Sequence, residues 1–447
     1  MGYRVDPGGR RGLHRHRRLR TLIGVVDASG NDRGVVVPGA FSDVGLPVPL
    51  AGLRGAHHHS PGATRVEYGA GCVESLQSEL QRLGIRRALL LSTRSLAREQ
   101  QLLERVRAIL SEALVGEFLE CEAHVPETVA ARALRFAREH DADGLVAFGG
   151  SSVIDTAKVV SLGLGDGVKD LEQLARWRSG APPSAIAGPP TLALPTTLSG
   201  AEMTAVVATT DAAGVKHLLQ DARCAVASAF LDPSLTSATP RLLWLSTGVK
   251  TFSDAIERVC SPGSSPVSDA VCTTAIGWML DALPRSVSHD SQSRLLCQLA
   301  SWLALFEMHP EGASVGLGAA LRHQVAVMCR IPHGEATCAL LPHVLRFNLP
   351  VLPERTERLA RAMGLGSDRG QLKEAGVSDD ACVDAVLGCV QQFIDTLGLP
   401  RRLSEVSSTR PDFDVLVERV LAEAATSRNP RAVQSAAEVR KIVEDAW

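Results

Sequence analysis

The sequence predicts two folded parts, an α/β domain followed by an all-helical domain. Short apolar runs alternate with amphipathic helical patterns between residues 64 and 240, which is typical of a doubly wound parallel sheet. Beyond Pro240 the strand signals end, and long amphipathic patterns continue to the C-terminus. We therefore divide the chain into an extension at 1–63, an α/β domain at 64–240 and a helical domain at 241–447.

Composition excludes several classes of protein. The 447 residues are 45% apolar and carry a net charge of −2, so the basic excess typical of nucleic-acid binders is missing. No apolar run reaches the roughly 18 residues that a membrane span needs. The ten cysteines form no C-x-x-C pair. We therefore expect a cytoplasmic protein without disulfides, with neither a nucleic-acid nor a membrane partner.

The first 63 residues differ in character from the rest. Seven arginines and one acid fall in the first twenty residues, and His57, His58 and His59 follow later. These groups could form an anion-binding arm and a metal site. We favour a disordered extension instead, because polar tracts without periodicity do not repay the entropy of ordering.

The α/β domain reads as an alternation of strands and helices. The predicted elements are an edge strand at 66–68, a helix at 75–83, a buried strand at 87–93, a helix at 96–114, a weak strand at 117–121, a helix opened by Pro126 and a strand at 144–150.

The last of these strands runs into Gly149, Gly150, Ser151 and Ser152, which we call the nucleotide turn. Glycines let a ligand approach the backbone, and the N-terminus of the following helix favours negative charge. The turn stands at the carboxyl end of an apolar strand, where phosphate groups bind in α/β folds. A glycine turn alone is weak support, since many such turns only join a strand to a helix.

A second polar segment runs from Leu194 to Thr204 and offers several hydroxyls and Glu202. It is either part of a ligand site or a turn capped by threonines. The helical patterns beyond it lie at 242–259, 268–283, 291–307, 314–328, 335–347, 354–362 and 383–397. A cleft between the two domains is the expected place for an active site.

Several spaced motifs together resemble the iron-containing alcohol dehydrogenase superfamily, most closely its maleylacetate reductase branch. They are the nucleotide turn with Asp155 and Lys158, Pro195-Thr196-Thr197 with Glu202 and Thr204, Leu231-Asp232-Pro233, Gly248 with Asp254-Ala255-Ile256-Glu257, Ile331-Pro332-His333-Gly334, and Leu341-Pro342-His343. The resemblance covers about residues 64–447. It implies a dehydroquinate synthase-like fold, a small-molecule substrate, a homodimer, and NAD or NADP as cofactor.

The resemblance also implies which residues bind the nucleotide. They are Gly149, Gly150, Ser151, Ser152, Asp155, Thr196, Thr197, Thr204 and Lys216. An acid after the first buried strand would hold a ribose hydroxyl and repel NADP. The run there is Ser92-Thr93-Arg94, without an acid, so the choice between NAD and NADP stays open.

The metal site of the superfamily is the main departure. Metal-dependent members use an Asp and a His four residues apart, then two His fourteen apart. Those positions here hold Lys250, Asp254, Ala319 and His333. An ammonium and an alanine cannot ligate, and two ligands fall short of the three that catalytic sites need. We predict no bound metal, unless His309 or His323 supplies a ligand.

Lys250 and Asp254 are spaced to pair on one helix face. The ammonium could then polarise a substrate carbonyl or hold a carboxylate in place of the metal. The alternative is an exposed pair of little consequence. His323 is the best candidate for a proton relay, although it could simply bond a backbone carbonyl. The predicted catalytic residues are therefore Lys250, Asp254, His323 and His333. Three arginines either bind carboxylates or have structural roles: Arg322, Arg258 and Arg346.

Three functions remain open from the sequence. The nearly whole nucleotide motifs favour a metal-independent NAD(P)H-dependent reductase of a small oxo or enone carboxylic acid. The lost ligands, and Leu198 where related reductases often carry an aromatic residue, favour a repurposed non-redox enzyme of specialised metabolism, such as a cyclase, lyase or condensing enzyme. A non-catalytic binding protein is the third.

Overall fold

The computed structural model describes residues 62–169, Gln173, Trp177, 186–365 and 379–447. The arginine-rich stretch and the His57–His59 triplet lie outside these residues, so the prediction of a disordered extension stays a prediction. Within the described residues no helix is long and apolar enough to cross a bilayer.

Six parallel strands form the sheet of the first domain. Their spatial order is β1-β8-β5-β4-β2-β3, with β1 at Arg65–Tyr68, β2 at Ala88–Leu91, β3 at Leu114–Phe118, β4 at Gly144–Gly149, β5 at Thr191–Pro195 and β8 at Ser228–Leu231. The four inner strands are buried along their whole length. This is expected where helices cover both faces of a parallel sheet.

Four helices flank this sheet: α1 (Leu76–Leu83), α2 (Gln100–Leu110), α3 (Glu127–Glu139) and α4 (Ser151–Gly165). The strand order reverses between β2 and β4, and ligands of open α/β sheets bind beyond the carboxyl ends at such a point. An antiparallel hairpin of β6 (Val206–Thr210) and β7 (Lys216–Gln220) projects from the chain between β5 and β8.

The predicted helix at 96–114 is too long, and the strand predicted at 117–121 begins earlier. Two short 3-10 turns, Leu96–Arg98 and Ser111–Ala113, flank α2 and extend its apolar pattern beyond the true helix. Ser111 has φ 47°, which takes the backbone out of the right-handed region and ends α2. The chain then enters β3 directly at Leu114.

The second domain is helical throughout its described residues, as predicted. Its helices are α5 (Arg241–Cys260), α6 (Pro266–Arg285), α7 (Ser291–Leu305), α8 (Leu317–Cys329), α9 (His333–Asn348), α10 (Pro353–Ala362), α11 (Asp379–Leu397), α12 (Phe413–Ala422), α13 (Ala424–Ser427) and α14 (Ala436–Ala446). The last three were not predicted. They are short, and α12 and α14 are set by caps: Asp412 for one and a Ser435–Glu438 capping box for the other.

Helix α5 is the centre of this domain and is buried almost completely from Trp244 to Cys260. Helix α9 begins against it, and a Cβ on Gly334 would stand 2.5 Å from the backbone carbon of Ser246. Glycine is therefore required for this close approach. The contact brings His333, the first residue of α9, next to α5.

Arg258 has a structural role rather than a substrate-binding one. Its side chain is fully buried, and its guanidinium donates to the carbonyls of Ala304, Phe306 and Ala313 at 2.6, 2.9 and 3.0 Å. Two of these carbonyls belong to the C-terminal end of α7, where carbonyls lack partners within the helix. Arg258 thus caps α7 from α5.

Replacing Arg258 by Met should therefore leave three buried carbonyls without donors. We expect a loss of about 3 kcal/mol in unfolding free energy and a drop of about 5–10 °C in melting temperature. Thermal unfolding followed by circular dichroism measures this. Arg285→Met is the matched control, because Arg285 is 59% exposed and pairs with Asp281 at the surface. An equal shift in both variants would contradict the capping role.

Candidate functional site

The nucleotide turn joins β4 to α4 as the sequence predicts. A Cβ on Gly150 would stand 3.0 Å from Thr197 Cγ2, and one on Gly149 only 2.6 Å from Val153 Cγ2. The first N–H groups of α4 have no partner within the helix. The Ser151 hydroxyl is buried and lacks a hydrogen-bond partner in the described part of the chain. A ligand phosphate would satisfy such donors, so the turn fits a nucleotide.

The second polar segment packs between this turn and the helical domain. The Thr196 N–H donates to the Gly149 carbonyl at 3.0 Å, and the Thr197 and Ser199 hydroxyls lie 3.3 Å apart. The Leu198 carbonyl accepts from Thr251 on α5 and from Ser301 on α7. Thr196 and Thr197 are thereby held beside the nucleotide turn.

Lys158 holds the C-terminal part of the same segment. Its buried ammonium donates to the carbonyls of Ala201, Thr204 and Val206 at 2.6, 2.8 and 3.0 Å. The Thr204 hydroxyl donates to the Ala201 carbonyl. The polar groups of Thr204 therefore serve the loop, and its role in nucleotide binding stays a prediction.

Asp155 lies one turn along α4, 3.8 Å from the Lys158 ammonium. Burial raises the pKa of this carboxyl, and the positive charges of Lys158, Lys216 and Lys250 oppose that rise. Its electrostatic partners come from both domains, which places Asp155 at the border between the nucleotide turn and the helical domain.

A buried ion-pair network includes two of the four positions that the resemblance assigns to metal ligands, 250 and 254. It consists of Lys250, Asp254, Glu257 and Arg322. The Lys250 ammonium lies 2.7 Å from Asp254 Oδ2 and donates to the Ser199 carbonyl at 2.9 Å. Asp254 Oδ1 lies 2.6 Å from Arg322, whose guanidinium is 3.8 Å from Glu257. The predicted pair is thus buried, and the alternative of an exposed pair does not hold.

Charge and burial compete at the two carboxylates. Burial alone would raise the pKa of Asp254, but Arg322 and Lys250 together hold it below its usual range. Burial raises the pKa of Glu257 despite Arg322. Glu257 also accepts from the Gly316 N–H at 2.8 Å, at the start of α8. Asp254 is thus the firmly ionised member of the network.

These residues do not fit a divalent metal. Asp254 already faces two cations, and Ala319 offers no donor atom. His309 Nδ1 accepts from the Glu311 N–H and His323 Nδ1 faces Glu423, and neither ring stands in a group of side chains that could complete a metal site. Across the described ranges, no group of three or more His, Cys, Asp or Glu side chains is arranged to hold a metal ion.

Three imidazoles, the histidine cluster of His124, His323 and His333, lie beside the network. The His333 ring is 5.4 Å from that of His124 and 5.7 Å from that of His323. Lys216 Nζ is 3.0 Å from His333 Nε2, and His333 Nδ1 is 3.4 Å from the Arg322 carbonyl. A carbonyl only accepts, so Nδ1 of His333 carries the proton and Nε2 accepts from Lys216.

Burial keeps these groups from charging easily. It lowers the pKa of His333 well below its ordinary value and that of His323 to about 4, where Glu423 opposes the drop. Burial also lowers the pKa of His124 and brings that of Lys216 to about 8. At neutral pH the imidazoles are therefore neutral, and Lys216 is largely an ammonium.

The structure brings the predicted catalytic residues Lys250, Asp254, His323 and His333 into one region. Lys216, expected with the nucleotide, lies against His333. Arg322 forms an ion pair with Asp254 inside the protein, which agrees with the structural alternative, and its contact with a substrate carboxylate stays a prediction. Sequence reasoning missed His124 and Glu423, because no local motif marks either residue. The His124 N–H donates to the Ser152 hydroxyl at 3.3 Å, which links the histidine cluster to the nucleotide turn.

Comparison with known proteins places this architecture. The profile of iron-containing alcohol dehydrogenases matches residues 63–233, and the profile of their C-terminal domain matches residues 244–447. A maleylacetate reductase of Sphingobium indicum is 31% identical over 71% of this chain and 83% of its own length. One of a Pseudomonas species is 27% identical over 84% of this chain and 94% of its own.

Solved structures agree in fold. A putative alcohol dehydrogenase of Ralstonia eutropha superposes with a TM-score of 0.73 at 26% identity, covering 88% of this chain and 98% of its own. A 1,3-propanediol oxidoreductase gives a TM-score of 0.78 at 25% identity, covering 88% of this chain and all of its own. The chain therefore belongs to the iron-containing alcohol dehydrogenase family, a family of oxidoreductases.

Proposed function

We propose that this enzyme is a metal-independent reductase that uses NADH or NADPH to reduce a small oxo or enone carboxylic acid. The observation that carries the proposal is the buried Lys250–Asp254–Arg322 arrangement beside an intact nucleotide turn. The relatives named maleylacetate reductase support the substrate class. In this proposal, fixed cationic side chains stabilise the developing negative charge, as a metal ion does in metal-dependent members of the family.

The nucleotide would bind across the turn, where it supplies the hydride. The first N–H groups of α4 and the buried Ser151 hydroxyl would hold its phosphates. Gly150 keeps the turn close to Thr197, so that the hydroxyls of the second segment lie beside the same ligand. Asp155 lies at the edge of this region and interacts with the positive charges of Lys158, Lys216 and Lys250.

Lys250 would stabilise the negative charge that develops on the substrate oxygen. Asp254 and the Ser199 carbonyl hold its ammonium in one place, and 17% of the side chain stays exposed. A charge fixed in advance in a poorly solvated site stabilises a transition state without reorganisation. Lys250 and Arg322 both face Asp254, and the Lys250 side chain is the more exposed of these two cations. The network thus offers positive charge to a carboxylate substrate.

Nucleotide binding to chelator-treated protein is the first test. We expect saturable binding of NADH or NADPH by fluorescence or calorimetry, with less than one equivalent of metal by elemental analysis. Oxo and enone acids should then oxidise the bound nucleotide without added metal. Ser152→Asp, which places a negative charge at the start of α4, should weaken binding on the order of tenfold or more.

Failure of both nucleotides to bind would reject the reductase and favour a repurposed non-redox enzyme. Turnover that depends on added divalent metal would reject metal independence alone. The two parts of the proposal are therefore tested separately.

Replacing Lys250 by Ala should lower kcat/KM on the order of 100-fold, as for the loss of one oxyanion-stabilising donor. The fold should persist, because Asp254 keeps its contact with Arg322. Steady-state kinetics measures the effect, with the oxo or enone acid that the wild-type enzyme reduces most efficiently as the substrate. Lys441→Ala is the matched control, because Lys441 is 75% exposed and pairs only near the C-terminus with Asp445. Unchanged kcat and KM in the Lys250 variant would exclude its role.

A further inference from the structure

We propose that Glu423 is a positioning residue that orients His323, so that the two side chains form the acid–base pair of this site. Nothing in the sequence motifs marks Glu423, which lies 100 residues from its partner. The orientation of the imidazole stands on geometry alone. Its use in proton transfer rests on the reductase proposed above.

The contact is short and largely shielded from solvent. His323 Nδ1 is 3.1 Å from Glu423 Oε2, and the two side chains are only 19% and 15% exposed. Gln324 donates to the other carboxylate oxygen at 2.6 Å. Glu423 itself occupies the junction between α12 and α13, where its N–H donates to the Val420 carbonyl. The carboxylate is therefore held by two side chains, and the backbone of the same residue is held by α12.

This contact decides which ring nitrogen carries the proton. An ionised carboxylate can only accept, so Nδ1 of His323 must be the donor and Nε2 is left with its lone pair. The pKa of Glu423 is below its usual range, with the His323 hydrogen bond opposing the effect of burial. His323 therefore offers Nε2 for exchange of a proton, while Nδ1 stays with Glu423.

His333 is not available for the same task. Its Nε2 accepts from Lys216 and its Nδ1 faces the Arg322 carbonyl, so both nitrogens are engaged. In His323 only Nδ1 has such a contact within the described residues. Of these two imidazoles, His323 is the one whose second nitrogen can meet a substrate.

Glu423 also offsets the charges that oppose protonation of His323. Lys216 and Arg322 both disfavour an imidazolium at this position, and the His333 ring packs against it. The carboxylate supplies the opposite charge, as the buried acid does in carboxylate–histidine pairs of other enzymes. Without Glu423, an imidazolium at position 323 would lose this opposite charge, while Lys216 and Arg322 would still disfavour it.

The proposed reduction adds one hydride and one proton to the substrate carbonyl. When the substrate carbonyl carbon gains a hydride, the electron pair of the C=O π bond moves to oxygen. Because the resting ring carries a proton on Nδ1 only, Nε2 first takes up a proton from solvent. The imidazolium then passes that proton to the oxygen and completes the hydroxyl, the ring returns to its neutral form, and Nδ1–H remains bonded to Glu423 throughout. The net change is oxo acid, reduced nicotinamide nucleotide and one proton to hydroxy acid and oxidised nucleotide.

The first experiment needs no substrate. In the full-length protein labelled with ¹⁵N-histidine, the His323 signals are assigned by comparison with His323→Gln. We expect a protonated Nδ1 and an unprotonated Nε2 at neutral pH. Glu423→Ala should move the ring toward the other tautomer and lower its pKa, whereas Glu418→Gln, an exposed glutamate on α12, should change neither. A wild-type ring with Nδ1 unprotonated, or no change in Glu423→Ala, would overturn the proposal.

The second experiment is kinetic. Glu423→Ala and Glu423→Gln should lower kcat on the order of 100-fold while KM changes little, because the loss falls on proton transfer. The limb of the pH profile that reports the acid should shift to lower pH. Glu423→Asp, which keeps the charge, should recover part of kcat. A fall in kcat together with a rise in KM and an unchanged pH profile would indicate a merely structural role and overturn the proposal.

The two experiments separate this inference from the proposed function. If no acid is reduced by the wild-type enzyme, the reductase fails, but the tautomer measurement still decides whether Glu423 orients His323. If reduction occurs and the tautomer is wrong, the reductase stands and the acid–base pair fails.

Discussion

The charge of Asp254, buried between Lys250 and Arg322, is the constraint on which the site depends. An isolated carboxylate at this depth would cost several kcal/mol in desolvation, and an unpaired ammonium beside it would cost as much. The buried Asp254 carboxylate is therefore tolerated only with a cationic partner. In metal-dependent relatives the positive charge is an ion held by ligands. Here Asp254 lies between two cationic side chains, one on α5 and one on α8.

Glu257 shows how the fold accommodates the same constraint. Its carboxylate accepts from the Gly316 N–H, just before the first turn of α8, and a Cβ on Gly318 would stand 2.7 Å from Glu257 Oε1. The N-terminus of α8 therefore stabilises this second carboxylate with its dipole and its open N–H groups. The start of α8, which includes Ala319, is thus a backbone donor to the network.

Local patterns made part of this structure predictable. The apolar runs at β2 and β4, the turn at Gly149–Ser152 and the long helices of the second domain depend on neighbours in sequence. The Lys250–Asp254 contact is also local, since residues four apart share a helix face. The Asp254–Arg322 and His323–Glu423 contacts join distant segments, so composition and spacing carried no signal for them. Ser111 ended α2 through its backbone conformation, which hydrophobic periodicity does not report.

The nucleotide turn and the histidine cluster form one connected structure, although two of the three histidines, His323 and His333, belong to the helical domain. The His124 N–H binds the Ser152 hydroxyl, the His124 carbonyl accepts from Thr210 of β6 at 2.7 Å, and the ring packs edge-on against His333. His333 in turn holds Lys216 of β7. The β6–β7 hairpin thus ties the start of α4 to the start of α9. Any movement of the turn on binding a nucleotide has to be taken up by these contacts, because the rings and the ammonium are packed too closely to shift independently.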